Sequence, residues 1–165
     1  MIKVKKLIGY NKKFKRYSGW AGADGIYSLN YNGKILMYFS DTFIGESNLK
    51  GKRISFDLIN NSLAISNNDL KDINFIFNTN PIDSIFKPNE GYYWLEDGII
   101  ENDNLYIFAL RMQNDILSNI PFEIKAVDLI KVNLPFKANI DYKTMNTNSY
   151  NNNIILGTAI IKENG

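Results

Sequence analysis

Two tryptophans, each followed by an Asp-Gly pair, are the residues of this chain best suited to chemistry. Trp20 lies shortly before Asp24, Trp94 lies shortly before Asp97, and glycine follows each aspartate. The chain has no histidine and no cysteine, so its chemistry must depend on carboxylates. Cleavage of a glycosidic bond uses two carboxylates, and indole rings pack on the apolar face of a sugar. We therefore predict that Asp24 and Asp97 are catalytic carboxylates.

Four side chains are predicted to bind the substrate beside them: Trp20, Asp41, Trp94 and Arg111. Asp41 follows the second strand of the first hairpin, and we expect it at the other end of that hairpin from Asp24, or in a turn. Arg111 ends an apolar strand and can orient a carboxylate or a hydroxyl group. Glu96 points the opposite way from Asp97 in an extended segment, so only one of them faces the site, and we assign Asp97.

Each of these residues also has a purely structural interpretation. Asp-Gly pairs form Asx turns that start strands, and an aspartate at a strand end bonds nearby backbone amides. The tryptophans can pack between sheets, and Arg111 can lie in solvent at a sheet edge. Clusters of Asn are typical of loops, with calcium ligation as a minor alternative. The sequence predicts no metal site and no cofactor.

The net charge of the chain is small, because 19 Lys and Arg against 17 Asp and Glu give +2. This balance predicts neither a nucleic-acid partner nor a membrane partner. Many basic residues lie in segment 1–16, which we interpret as a solvated terminus. The chain as given has no export signal and no apolar run of about 20 residues. Its location stays open: cytoplasmic as given, or secreted if a signal was removed.

Short alternation of apolar and polar residues predicts strands along the whole chain, with no convincing amphipathic helix. The strand-like runs are GIYSLNY, KILMYFS, NSLAIS, NFIFN, GIIE, NLYIFALRM, FEIKAVDLI and NIILGTAII. Asn32-Gly33 closes one tight hairpin, and the turn at 102–104 closes another. We predict an all-β chain built from hairpins.

The Trp and Asp-Gly pattern recurs after about seventy residues, a period typical of repeats made of four-stranded sheets. Each copy continues into an apolar strand that ends at a phenylalanine, Phe39 or Phe108, and a third copy begins near Gly157. Four antiparallel strands repeated radially form a β-propeller, and this pattern favours that fold. A β-sandwich is the competing fold.

We predict one partial propeller domain over residues 1–165. Its expected parts are the basic segment 1–16, blade one at about 17–80, blade two at about 81–150 and the first strand of blade three at 151–165. The strands of blade one are expected at about 24–30, 34–40, 61–66 and 73–78. Two blades cannot close a ring, so the remaining blades or another chain must cover the open face.

Three motifs carry a resemblance: W-x-G-x-D-G-x-Y-S, K-I-L-M-Y-F-S-D-T-F and Y-W-x-x-D-G. They resemble uncharacterised bacterial domains with a five-bladed β-propeller fold, related to arabinanase-like and levansucrase-like glycosidases. The resemblance covers most of residues 17–165 and implies carbohydrate binding or glycoside hydrolysis. It implies that Asp24 is the base or nucleophile and that Asp97 tunes a pKa and holds the sugar. The glutamate that serves as the acid in that family has no counterpart in this chain.

The expected function is a glycoside-hydrolase-like propeller that binds or hydrolyses a carbohydrate through carboxylates at its central funnel. The alternative is a non-catalytic propeller that binds a glycan or a protein through the same mouth. A third interpretation is an assembly module whose open edge recruits a partner strand. Whether the chain is an enzyme stays open, because no general acid can be identified in it.

Overall fold

The structure is a computed structural model that describes residues 8–117, 119–137 and 139–163. Among these residues are thirteen strands, one short helix, α1 (Ile8–Lys13), and one 3-10 turn (Tyr150–Asn152). The strands are β1 (Ser18–Ala23), β2 (Tyr27–Tyr31), β3 (Lys34–Phe39), β4 (Thr42–Ser47), β5 (Arg53–Ile59), β6 (Ser62–Asn67), β7 (Asn74–Ile76), β8 (Asn78–Thr79), β9 (Ile82–Asp83), β10 (Tyr92–Glu101), β11 (Asn104–Asn114), β12 (Phe122–Asn133) and β13 (Tyr142–Asn146). The predicted all-β class is confirmed. Residues 1–7 of the basic segment 1–16 lie outside the described residues.

Four strands form the first antiparallel sheet, in the order β2-β3-β6-β7. Asn32 and Gly33 join β2 to β3 with positive φ angles of 47° and 74°, as a tight hairpin between twisted strands requires. Each strand lies within a few residues of a span predicted from the alternation. Local sequence therefore determined this sheet well.

The second antiparallel sheet has the order β10-β11-β12-β13. Its first hairpin turns at Asn102 and Asp103, whose φ angles are 48° and 56°. The register of β10 against β11 shifts between Leu95 and Gly98, so β10 has a bulge there. Glu96 and Asp97 lie inside this bulge, and the bulge determines the direction of their side chains.

No strand is predicted from the sequence between residues 41 and 60, yet β4 and β5 lie there and pair with β1 in a third sheet of order β1-β4-β5. β1 leads into β2, β3 into β4, and β5 into β6. Each of these three links joins a strand of one sheet to a strand of the other, and the linked strands occur in the same order in both sheets. The first and third sheets are therefore one sheet with a sharp bend. The prediction missed β5 although its sequence RISFDLI alternates between polar and apolar residues, and most of these side chains are exposed in the structure.

The main core lies between the first and second sheets. Its buried members are Leu36, Tyr38, Leu63, Phe86, Tyr93, Leu95, Leu105, Ile107, Ala109, Ile130, Val132 and Leu134. Each large apolar side chain buried here stabilises the fold by roughly 1.5–3 kcal/mol relative to its exposed state. This burial holds the two four-stranded sheets face to face.

A second core covers the other face of the first sheet. Trp20 of β1 stacks on Phe75 of β7, with ring centroids 4.2 Å apart, and contacts Phe39 at 5.2 Å. Ile44 and Ile59 from the third sheet are buried in the same cluster. The bent third sheet therefore folds back over the first sheet and buries its inner face.

The run NIILGTAII was predicted to be a strand, but residues 154–163 form an irregular segment without strand pairing, so that prediction is wrong. This segment lies against β10, because the carbonyl of Gly157 accepts the N–H of Asp97 at 2.7 Å. The described strands form open sheets rather than a closed ring, so the all-β class is shown and the β-propeller stays a prediction. Within the described residues, no helix has the length and apolar character needed to cross a bilayer.

Candidate functional site

The bend of the first sheet brings Asp24 and Asp41 together. The N–H of Asp24 donates to the carbonyl of Asp41 at 3.1 Å, and the N–H of Ser40 donates to the carbonyl of Asp24 at 3.0 Å. In an antiparallel hairpin, the start of the first strand lies beside the end of the second. Asp41 therefore lies at the same end of the hairpin as Asp24, in the bend between β3 and β4, which matches the second of the two expected positions, a turn, and not the first.

Asp41 joins three chain segments through one carboxylate oxygen. Its Oδ1 accepts Nε1–H of Trp94 at 2.9 Å and Nδ2–H of Asn60 at 3.2 Å. The half-buried Trp94 ring also packs edge-on against Tyr92 and Phe122. These contacts hold the indole of Trp94 in one orientation beside the two aspartates.

An open cavity of about 230 Å³ lies between the start of β2 and the bulge of β10. It is lined by Asp24, Gly25, Tyr27, Ser40, Trp94, Leu95 and Glu96. Ser40 closes the seam between the two sheets, because its Oγ donates to the carbonyl of Leu95 at 3.0 Å and accepts the Leu95 N–H at 2.9 Å. The cavity thus brings two carboxylates from different sheets, Asp24 and Glu96, beside one indole ring.

Glu96 is half-buried and has one hydrogen-bonded side-chain partner. The hydroxyl of Tyr27 donates to Glu96 Oε2 at 3.0 Å. Burial raises the pKa of Glu96, the nearby charge of Asp97 adds to this, and the bond from Tyr27 partly offsets it. Burial and the bond to Glu96 also raise the pKa of Tyr27 to about 12. Glu96 therefore holds a proton at a higher pH than an ordinary glutamate.

The carboxylate of Asp24 has no hydrogen-bonded side-chain partner among the described residues. Partial burial raises its pKa, and the negative charge of Asp41 raises it further. The backbone N–H groups of Asp41 and of Asp24 itself act in the opposite direction. Asp24 is thus an available carboxylate that faces the cavity.

Asp97, the other predicted catalytic residue, is engaged by backbone groups. Its Oδ1 accepts the N–H of Gly98 at 2.8 Å, and its Oδ2 accepts the N–H of Ile160 at 2.8 Å. Its own N–H donates to Gly157. These contacts fasten the segment 154–163 to β10, and Asp97 does not line the cavity.

Trp20, predicted to bind the substrate, lies in the second core. It is 4% exposed, its ring stacks on Phe75, and its Nε1–H donates to Ser62 Oγ at 3.2 Å. The two tryptophans of the repeated pattern therefore have different surroundings. Only Trp94 lines the cavity.

Arg111, the remaining predicted contact, belongs to a network within the second sheet. Its Nε lies 3.3 Å from Oδ2 of the buried Asp128, and the same oxygen accepts the hydroxyl of Tyr93 at 2.7 Å. Asn146 donates to the other oxygen of Asp128 at 3.1 Å. Burial and the bond to Asp128 raise the pKa of Tyr93. This network connects all four strands of the second sheet and does not line the cavity.

Three polar side chains of the cavity lining are not among the predicted site residues: Tyr27, Ser40 and Glu96, the last of which was set aside in favour of Asp97. Simple alternation assigned the facing position to Asp97, but the bulge changes which side chains share a face. Gly98 was the available signal, because a Cβ there would lie 2.5 Å from the Tyr106 carbonyl oxygen. In the described parts of the chain, no group of three or more acidic residues is placed to hold a metal ion.

A protein-family model described as "Domain of unknown function (DUF5005)" matches residues 8–165. The chain belongs to this family. Among solved structures, a crystal structure of a protein from Bacteroides ovatus, described as a "putative hydrolase", is similar with a TM-score of 0.69 and 21% identity. The match covers 79% of this chain and 39% of that one, so this chain spans about two fifths of its length. Such a likeness shows a shared fold. No curated protein matches the chain.

Proposed function

We propose that this member of the DUF5005 family is part of a glycoside-hydrolase-like β-propeller that binds or hydrolyses a carbohydrate through carboxylates at its funnel. The observation that carries the proposal is the placement of Asp24 and Glu96 in one open cavity beside Trp94. The fold shared with the Bacteroides ovatus protein supports it. The general acid is not assigned.

The propeller arrangement is supported by how the two four-stranded sheets meet. Their first strands, β2 and β10, lie next to each other, since Tyr27 of β2 bonds Glu96 of β10 at 3.0 Å. First strands of propeller blades line the central channel in this way. We propose residues 17–80 and 81–150 as two blades and 151–165 as the start of a third. The remaining blades or another chain would complete the ring.

In the proposed site Asp24 is the base or nucleophile, because its carboxylate faces the cavity and no side chain of the described residues bonds it. Glu96 is the partner carboxylate, with a pKa raised by burial. Two carboxylates in different environments can hold different protonation states at one pH. Trp94 offers its ring to a sugar, and Asp41 holds that ring in place. The assignments of Asp97, Trp20 and Arg111 to the site stay predictions, and their contacts are those of structural residues.

The second candidate is a non-catalytic propeller that binds a glycan or a protein through the same mouth. One observation favours it: both oxygens of Asp97 accept backbone N–H groups and Glu96 accepts the hydroxyl of Tyr27, so Asp24 is the one cavity carboxylate without a hydrogen-bonded side chain among the described residues. A binding site needs the indole ring and hydrogen-bonding groups but no proton transfer. The same residues therefore serve either function.

Asp24→Asn in the intact protein tests the proposal. Turnover of arabino- or fructo-configured oligosaccharides is expected to fall by about 100- to 10,000-fold, because the amide keeps the shape but cannot take up a proton. Affinity for the sugar, measured by calorimetry, is expected to stay within a few-fold.

Asp57→Asn is the matched control, because Asp57 is an exposed aspartate on β5 outside the cavity lining. It is expected to keep full turnover. Unchanged turnover in Asp24→Asn would remove Asp24 from the mechanism. Binding without turnover by the wild-type protein, across a broad glycan panel, would favour the second candidate.

A further inference from the structure

The outer face of the third sheet continues directly from the candidate site. Thr42 and Ile44 of β4 are buried on the inner face, so Phe43 between them points outward. Phe43 pairs with Gly22 of β1. Gly22 lies two residues before Asp24, which follows the end of β1 at the bend, so the two Cα atoms are at most about 7 Å apart. Phe43 is therefore close to the proposed catalytic carboxylate.

Arg53 is held on this outer face by an aromatic ring. Its guanidinium carbon lies 3.7 Å from the centroid of the Phe43 ring, and Phe56 meets the same ring edge-on at 5.1 Å. Arg53 Nη2 also lies 3.0 Å from where a Cβ on Gly22 would stand. These contacts hold the guanidinium beside Phe43 and Gly22, the latter two residues before Asp24 in the chain.

The guanidinium of Arg53 has no acceptor of its own. In the described part of the chain, neither a salt bridge nor a hydrogen bond engages its side chain. An arginine presents five N–H donors in a planar fork that matches a carboxylate or a sulfate with two bonds. Stacking on a ring fixes the plane of that fork in advance, so less freedom is lost when a ligand binds.

Asp24 and Asp41 repel any anion at the centre of the site, so an anionic group needs a cation beside it and some distance from them. We propose that Arg53, held against Phe43, is a subsite for an anionic substituent of the glycan, a uronate carboxylate or a sulfate ester. This inference rests on the proposed function and adds a substrate class to it. The preferred glycan carries a negative group near the sugar unit that Asp24 would contact.

Paired oligosaccharides test the inference by calorimetry on the intact protein. One arm compares uronate-containing oligosaccharides with the same molecules after reduction of their carboxyl groups to alcohols. The other arm compares sulfated with desulfated oligosaccharides. The wild-type protein is expected to bind the charged member of one pair about 10- to 100-fold more tightly, and the arm that shows this identifies the anion.

Arg53→Gln is expected to abolish this preference while affinity for the neutral member stays within about twofold. Phe43→Leu keeps the charge but removes the ring, and a loss of about two- to fivefold for the charged member is expected. Arg16→Gln is the matched control, because Arg16 lies over Phe75 at 5.3 Å, away from the cavity lining. It is expected to keep the full preference.

Two outcomes would overturn the inference alone: equal affinity of the wild-type protein for the charged and neutral members, or a full preference in a folded Arg53→Gln variant. Thermal unfolding followed by circular dichroism confirms that each variant is folded. Absence of binding to every glycan, charged or neutral, would instead overturn the proposed function itself. The two failures are thus distinguishable.

Discussion

The carboxylates of Asp24 and Asp97 differ in what they contact, although each precedes a glycine and follows a tryptophan. Asp97 accepts two backbone N–H groups and so fixes the chain near Ile160. Asp24 faces the cavity without a bonded side chain among the described residues. At the residue scale, chemical availability therefore depends on the partners of a group and not on its local sequence.

Glu96→Gln is expected to change how stability depends on pH. Burial raises the folded-state pKa of Glu96 above its usual value of 4.5. A raised folded-state pKa means that this group contributes stability below the usual value and that the contribution is lost as the pH rises through the raised pKa. The free energy of unfolding, measured with urea between about pH 4 and pH 7, should therefore fall less steeply in the variant.

Glu90→Gln serves as the comparison, because Glu90 is exposed in the loop before β10. It is expected to leave the pH dependence unchanged. If the free energy of unfolding depends on pH with the same slope in the wild-type protein and in Glu96→Gln, then burial does not raise the pKa of Glu96.

At the scale of elements, the site depends on two backbone irregularities. The first is the bend at Asp24, Asp41 and Asn60, where three neighbouring strands cross from one sheet to the other. The second is the bulge of β10 between Leu95 and Gly98. Bends and bulges re-aim side chains and often occur beside functional sites. Here they put polar groups of two sheets around one cavity.

Asn61→Ala is expected to destabilise the protein by roughly 3 kcal/mol. Asn61 is fully buried, and its amide donates to the carbonyls of Phe86 at 2.9 Å and Tyr93 at 3.2 Å. Its Oδ1 accepts the N–H of Phe86 at 2.8 Å. Alanine leaves these backbone groups buried without partners. Chemical denaturation monitored by circular dichroism measures the loss.

Asn60→Ala is the matched control, because Asn60 is the neighbouring residue and its side chain bonds Asp41 near the surface. A loss of less than about 1 kcal/mol is expected there. Equal losses in the two variants would show that the buried amide does not join the sheets.

At the scale of the whole molecule, the far face of the second sheet is only partly covered. Leu110, Met112 and Val127 form a small cluster there under Tyr150 and its neighbours. Ile154, Ile155 and Leu156 beside the 3-10 turn are exposed. We propose that the remaining blades or another chain cover this face, because exposed apolar patches mark interaction surfaces.

Light scattering after gel filtration tests whether this face needs a covering partner. The isolated chain is expected to associate as its concentration rises, because a second copy is then the available apolar partner. Addition of a hydrophobic-binding dye should give a signal that the intact protein lacks. A monomer that stays soluble and stable at high concentration would contradict the incomplete ring.

Sequence alone determined the strands and turns of the first four-stranded sheet and the strands β10 to β12 of the second, but it predicted no strand at the position of β13. Alternation from Lys34 to Phe39 and the Asn32-Gly33 turn are local signals, and they act in the same way in any fold. The absence of histidine and cysteine limited the chemistry to carboxylates. The exposed strand β5 was missed although its residues alternate between polar and apolar.

The tertiary structure alone decided which of the candidate residues meet. Trp20 is drawn into the core by Phe75, and Trp94 is fixed at the cavity by Asp41, although both tryptophans precede an Asp-Gly pair. The β10 bulge turns Glu96 toward Tyr27. Such choices depend on contacts between residues far apart in the chain. Composition and alternation therefore predict the strands and the available carboxylates, while packing determines which surface each side chain faces.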